Sequence, residues 1–350
     1  MTLLERDELL ATLTTQRVAA AAGAGRLVLV EGEAGIGKTS LLRALARSVG
    51  EEAPVYWGAC DAMHTPRPLA ALEDIAAGAS TALQALLTGS QDRHRLFVAF
   101  VDLLAERPSL AVLEDVHWAD DATLDLLRYA GRRIARTRSL LVASYRSDEV
   151  VPAHPLRGVL GDLATSCSLR LALPPLSLPA VRSLVAGRAV DAVDLHGKTA
   201  GNPFFVTEVL AAGGSGVPAT VQDAVLARAA RLSRSARAVL DAAAVAGPRI
   251  EPWLLQELTA AEAESIDECL ATGVLRVDGS SFSFRHELAR QAVLQAMTPT
   301  RSLSLHRLTL HALAAVDGPP ADPARLALHA GGAGDRAGVL RWAPEAARAA

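Results

Sequence analysis

Cysteine is scarce and unpatterned: Cys60, Cys167 and Cys269 are the only three in 350 residues. An odd count without metal-ligand spacing gives no disulfide framework and no cysteine metal site, and points to reduced thiols in a cytoplasmic protein. Net charge is also nearly missing, at -3 with a pI near 6.3, so the chain as a whole has no attraction for nucleic acid. Long apolar runs are absent too. The longest uncharged stretch, Ile75 to Gln91, is interrupted by Ser80, Thr81, Gln84, Thr88 and Ser90, and no membrane span follows from it. The N-terminus "MTLLERDELL" has acids where a signal peptide needs lysines, which argues against export.

What the chain has in quantity is alanine within a 50% hydrophobic composition, a balance that favours helices over thick β sandwiches. Its length allows two or three domains with real cores. From Met1 to about Leu173, short apolar runs alternate with helical patterns, as in an α/β domain with a mainly parallel sheet. The strand candidates are "RLVLVE" (26–31), "APVYWGA" (53–59), "SLAVLE" (109–114), "SLLVASY" (139–145) and "LRLAL" (169–173). Their continuous apolarity suits strands covered on both faces. "LPPLS" then marks a boundary, because paired prolines end a strand and delay a helix.

Beyond it, residues 178–213 read as two or three helices interrupted by "TAGNPFF", and residues 217–272 as several short helices. "VLRVDGSSFSFRH" follows, two alternating runs around Asp278-Gly279 that form a strong hairpin signal. Helices leading into a hairpin give the expectation of a winged helix. From about Asp322 the tail has an alanine-rich helix–turn–helix look, and one such pair does not bury its own face. The expectation is that the chain is the front part of a longer protein.

The densest chemical signal is "LVLVEGEAGIGKTSLL". Gly32-x4-Gly37-Lys38-Thr39 completes the phosphate-loop pattern between a predicted strand and a predicted helix. Gly32, Gly35 and Gly37 let backbone N–H groups turn inward around an anion, with Ala34, Ile36 and Ser40 completing the loop. The helix that follows points its positive end at the same place. Lys38 is expected to face solvent and reach the β- and γ-phosphates; Thr39 offers a hydroxyl to Mg²⁺. Such a loop needs a carboxylate across the site, and "LAVLEDVHWAD" ends an apolar strand in Glu114 and Asp115. One acid would serve Mg²⁺ and the other the attacking water; the alternative is a strand end with solvated acids. "LLVASYRSDEV" places Arg146 at another strand end, either to touch a γ-phosphate or merely to pair with Asp148 or Glu149.

These motifs, followed in order by "LPPLS", "GNPFFVTEVL" and "FRHELARQAV", carry a resemblance over nearly the whole chain. It is similar to the large ATP-binding regulators of the LuxR family, within the STAND class of AAA-type signal-transduction ATPases. The resemblance implies a P-loop NTPase domain whose five-stranded sheet puts the arginine strand between the phosphate-loop and acidic strands. A helical lid, a winged-helix domain and the start of a TPR-like helical repeat would follow. The implied segments are 1–175, 176–216, 217–315 and 316–350. Arg146 becomes a nucleotide sensor on this resemblance, which also puts Asn202 and Pro203 beside the adenine and His286 on the β-phosphate. Arg6, in "LLERDEL", matches a nucleotide-proximal element in which Glu5 replaces the usual glycine. The class commonly has aspartate first in its acidic pair; here Glu114 adds about 1.5 Å of reach.

The favoured function is an ATP-dependent switch in a transcriptional regulator. ADP would hold a closed form, ATP an open and self-associating one, and slow hydrolysis would reset it. An unknown inducer or regulatory protein is the implied partner, with DNA reached only through a C-terminal domain outside this chain. The alternatives are the sensor half of a cyclase or kinase fusion, or DNA binding by the winged helix itself. "EAESIDECLA" opposes the latter, since Glu262, Glu264, Asp267 and Glu268 would repel phosphates. A small-molecule kinase would need an acceptor pocket, and no motif supplies one.

Overall fold

The computed structural model describes residues 3–62, 67–79, 81–89, 92–214, 216–260, 262–315 and 322–349. The chain divides into two compact units, Met1–Leu176 and Ser177–Ala350.

The first unit is built on five strands: β1 (Arg26–Glu31), β2 (Val55–Ala59), β3 (Leu110–Glu114), β4 (Leu140–Tyr145) and β5 (Cys167–Ala172). Their order is β2-β3-β4-β1-β5 and every neighbouring pair is parallel. The arginine strand β4 therefore lies between the phosphate-loop strand β1 and the acidic strand β3. The three inner strands explain their own continuous apolarity. Leu27, Leu29, Ala111, Leu113, Leu141 and Ala143 enter one core. Val28, Val30, Leu110, Val112, Leu140 and Val142 enter the core on the opposite face. A strand with helices on both sides has no polar face to show. The edge strands differ: β2 alternates, burying Tyr56 and Gly58, and β5 buries only Leu171.

Parallel register collects the strand ends that matter. Glu31 pairs with Tyr145 and Ala59 with Glu114, so the loop after β1, the acids ending β3 and the arginine after β4 share one sheet edge. Ligands of open α/β sheets bind at this edge.

In the second unit, the helices Leu178–Val185, Ala192–Thr199 and Pro203–Ala211 begin at Ser177, Asp191 and Asn202. Each of these side chains accepts a first-turn N–H. Helices Ala219–Ala229, Arg234–Ala246, Pro252–Thr259 and Ala263–Ala271 follow. Then come β7 (Leu275–Asp278) and β8 (Ser281–Phe284), antiparallel across a turn with Gly279 at φ 64°. A third strand, β6 (Arg249–Ile250), pairs with β8 on its other side; two residues are too short to show an alternation in sequence. The unit's core centres on Ala242–Ala246 with Leu254, Leu255, Leu275, Phe284 and Val293. Helices Glu287–Ala296, Pro299–Ala315, Pro323–Gly332 and Arg336–Ala349 complete it. The expected boundary at 315/316 adjoins residues 316–321, which lie outside the described residues. Among the described residues no helix is long and apolar enough to cross a membrane.

Candidate functional site

The loop leaving β1 turns through positive φ at Gly32 (155°), Gly35 (78°) and Gly37 (100°). Gly37 starts the helix Lys38–Val49 with no side-chain cap, so the helix presents bare first-turn N–H groups. Its other face is anchored by Leu41, Leu42, Leu45 and Val49, and Ile36 is buried beneath the loop. Ala34 is half-buried, while Gly35 and Ser40 are exposed.

Lys38 corrects the expectation of a solvent-facing lysine. It is only 6% exposed, and its Nζ donates to the carbonyls of Gly32 (2.8 Å) and Glu33 (2.9 Å). A loop curled around its own lysine satisfies the ammonium internally. Burial pushes that ammonium down to about 8, against the pull of Asp115.

Glu114 and Asp115 face different partners. Glu114, nearly buried, accepts from the Thr39 hydroxyl and, at 3.1 Å, from the Trp57 indole N–H. Asp115 turns into left-handed backbone at φ 55°, its N–H donating to Ser144 Oγ at 3.1 Å. Its carboxylate is 4.0 Å from both Arg146 and His117. Burial raises the Asp115 carboxyl, offset by Arg146 and Lys38. The paired acids therefore diverge: one reaches Thr39 and the other the arginine strand. Thr39 and Glu114 offer the hard oxygen donors suited to Mg²⁺, which takes one or two protein ligands and completes its shell with phosphates and water. Among the described residues there is no cluster of three or more His, Cys, Asp or Glu to cage a metal.

Arg146 follows β4 and pairs with Glu149 at 2.5 Å. Its guanidinium lies 4.2 Å from the Trp118 ring centroid. The Trp118 indole N–H donates to the same Glu149 at 3.1 Å. His117 is buried behind them, its Nδ1 accepting the Arg146 N–H at 3.4 Å and its Nε2 3.6 Å from Glu149. His154 Nε2 donates to the His117 carbonyl (3.0 Å) while its Nδ1 accepts from Leu156 N–H (3.1 Å); burial lowers its pKa. Sequence alone gives Trp57, His117 and His154 no task, reads Trp118 as a packing residue, and offers Glu149 only as one of two possible partners of Arg146. "HW" beside the acids and "DE" beside Arg146 were the available signals, but linear spacing does not show which rings and carboxylates converge.

Arg6 reaches the same loop from below. It is 3% exposed and donates to the carbonyls of Ile36 (3.3 Å) and Pro174 (2.7 Å). It thus braces the backbone of the phosphate loop against the chain leaving β5. Glu5 sits at φ 54°, the backbone region that favours glycine. Glu5→Gly relieves that backbone but adds freedom to the unfolded chain and removes the carboxylate that favours the buried Arg6 guanidinium. It should therefore not stabilise the first unit; a raised melting temperature would contradict that.

Asn202, Pro203 and His286 belong to the second unit. Asn202 is buried as the cap of helix Pro203–Ala211, with Pro203 at its first position. His286 starts helix Glu287–Ala296 and packs edge-on against Phe205, ring centroids 4.6 Å apart. The two motifs are therefore neighbours: "GNPFF" and "FRHELA" meet through Phe205 and His286.

Residues 2–143 match the family described as AAA ATPase domain, a span that includes the loop and both acids and ends within β4. An uncharacterized protein of Rhizobium meliloti (strain 1021) is 28% identical over 415 aligned positions, covering 97% of this chain and 40% of that protein. The chain thus spans well under half of that relative's length. Among solved structures, the Walker-type ATPase PABY2304 of Pyrococcus abyssi superposes with a TM-score of 0.57 at 12% identity, over 83% of this chain and 96% of that one. The ORC2 protein of Aeropyrum pernix, solved as ADPNP–ADP complexes, gives 0.55 at 16%, over 89% and 96%. At such identities the likeness is one of fold, that of P-loop ATPases.

Proposed function

We propose that this chain is the ATP-binding, slowly hydrolysing switch of a LuxR-type transcriptional regulator, alternating between an ADP-held closed state and an ATP-held open, self-associating state. The observation that supports nucleotide binding most is the convergence at one sheet edge of an uncapped helix start, Lys38, the Thr39–Glu114 pair and Arg146 beside Asp115. The switch itself rests on the sequence resemblance. The proposed segments are those stated above: an ATPase core, a helical lid over 176–216, a winged helix over 217–315 and the start of a helical repeat.

The proposed tasks of the first unit's residues follow from their surroundings, and those of Asn202, Pro203 and His286 from the sequence resemblance. Gly32, Ala34, Gly35, Ile36, Gly37 and Ser40 supply backbone N–H groups to phosphate oxygens. Lys38 exchanges the Gly32 and Glu33 carbonyls for β- and γ-phosphate oxygens. Thr39 and Glu114 would hold Mg²⁺, which when bound neutralises phosphate charge. Asp115 orients the attacking water, and Arg146 senses the γ-phosphate. Arg6 holds the loop's shape. Asn202, Pro203 and His286 are the second unit's proposed nucleotide contacts. Inducer binding and DNA contact are assigned to parts beyond these residues.

A switch should turn over slowly with nucleotide alone and release ADP when the purified protein is denatured. Rapid multi-turnover hydrolysis would contradict this reading. The acids give a sharper test. Glu114→Gln should weaken Mg²⁺-dependent nucleotide binding. Asp115→Asn should retain affinity yet slow single-turnover hydrolysis by about 10²-fold or more. The reverse pattern would exchange their tasks.

A further inference from the structure

The short ion pair of Arg146 is not with Asp115, the acid just past the end of the neighbouring strand. Glu149 is 2.5 Å away and Asp115 is 4.0 Å away. The pairing is locally built. Residues 146–149 form a turn in which Glu149 N–H donates to the Arg146 carbonyl at 3.3 Å, bringing the two side chains to the same side. Trp118 completes a clamp: its ring underlies the guanidinium and its N–H holds the other carboxylate oxygen. Both partners are mostly shielded, with side-chain exposures of 20% and 15%, so the pair is less screened than an open surface bridge. Lys38 feels the charges of Asp115, Arg146, Asp148 and Glu149, which places this clamp within electrostatic reach of the phosphate loop.

We propose that Glu149 is a resident counter-anion for Arg146, which the γ-phosphate of a nucleoside triphosphate must outcompete. Glu149 is thereby a positioning residue that sets the preference for triphosphate over diphosphate. This rests on the nucleotide-binding reading above. A guanidinium moving from Glu149 to a γ-phosphate exchanges one charge-assisted pair for another, so only the difference favours the triphosphate. A diphosphate has no γ-oxygens and leaves the clamp closed. The carboxylate thus tempers ATP binding and keeps the arginine stored, in a fixed orientation, while ADP is bound.

Glu149→Gln keeps an oxygen for the Trp118 N–H but removes the charge opposing Arg146. The affinity ratio of a non-hydrolysable ATP analogue to ADP, measured by calorimetric titration, should rise roughly tenfold. In an Arg146→Ala background the same substitution should raise the ratio much less, because the competing cation is gone and only the through-space charge that Lys38 also feels remains. A ratio that falls, stays constant, or rises equally without Arg146 overturns the proposal. Wild-type protein that binds neither nucleotide would instead defeat the nucleotide reading itself. A second measurement needs no change at Glu149. Trp118 loses its guanidinium neighbour when the clamp opens. In a Trp57→Phe background, which removes the indole bonded to Glu114, the analogue should therefore alter tryptophan emission, ADP should not, and a further Trp118→Phe should abolish the change. Equal emission with both nucleotides in the Trp57→Phe protein overturns the clamp, whether or not Glu149→Gln folds.

Discussion

Lys38→Ala should lower nucleotide affinity by on the order of a hundredfold, the effect of losing one or two charge-assisted bonds to phosphate. Its effect on stability should be much smaller, because two terms oppose each other. Burial of the ammonium, the first cause of a pKa lowered from 10.5 to about 8, costs on the order of 3 kcal/mol at neutral pH before its hydrogen bonds are counted. The two bonds to Gly32 and Glu33 carbonyls return an amount of the same size, about 1.5–3 kcal/mol each for a charged donor. Alanine removes cost and gain together. Titrating a fluorescent ATP analogue into both proteins, with their thermal unfolding measured in parallel, separates binding from folding. Equal affinities would remove the phosphate-loop assignment, and an unfolded variant would refute the cancellation.

The same lysine shows what the sequence made legible and what it hid. The loop's position, the strand before it and the helix after it follow from short-range pattern: glycines where backbone must turn through positive φ, apolar runs where both faces are covered. Glu114 and Asp115 were readable as strand-end acids for the same reason. Where Lys38 points depends on loop carbonyls competing with other acceptors for its ammonium, and nothing in the spacing expresses that competition. The Arg146–Glu149 pair was readable only as one of two partners, since Asp148 and Glu149 are both within a turn's reach. Choosing between them required Trp118, which arrives from the strand next door. Likewise β6 is two residues of backbone recruited by β8, with no sequence period of its own. Local geometry was legible. Partners delivered across the sheet were not.

The pH response of the second unit should be as large as any substitution effect. His329 has no exposed surface, and its Nδ1 lies 3.0 Å from Nδ1 of His306 on the preceding helix. Two ring nitrogens at that distance share one proton; a second would set two cations face to face. Gly332 closes the site, since a Cβ there would sit 2.5 Å from the His306 ring. Burial pushes His329 down to about 4, with the charges of His306 and Arg325 adding to the shift, and burial also lowers His306. Arg325 is itself held by Glu251 at 2.7 and 2.9 Å, which keeps that cation in place. The unfolded chain titrates its histidines near 6.5, so between pH 6.5 and about 4 it binds the proton that the fold refuses. Stability is therefore full above pH 6.5 and falls as the pH drops, by about 2 kcal/mol at pH 5 and about 3 kcal/mol once pH 4 is passed. His329→Gln cannot take up that proton and should flatten this part of the response. Hydrogen exchange in helices Pro299–Ala315 and Pro323–Gly332, compared between variant and wild type at each pH, cancels the intrinsic pH dependence of exchange. The wild type should lose protection faster than the variant between pH 7 and 5. Parallel losses in the two proteins would show that this histidine pair does not govern the acid response of the unit.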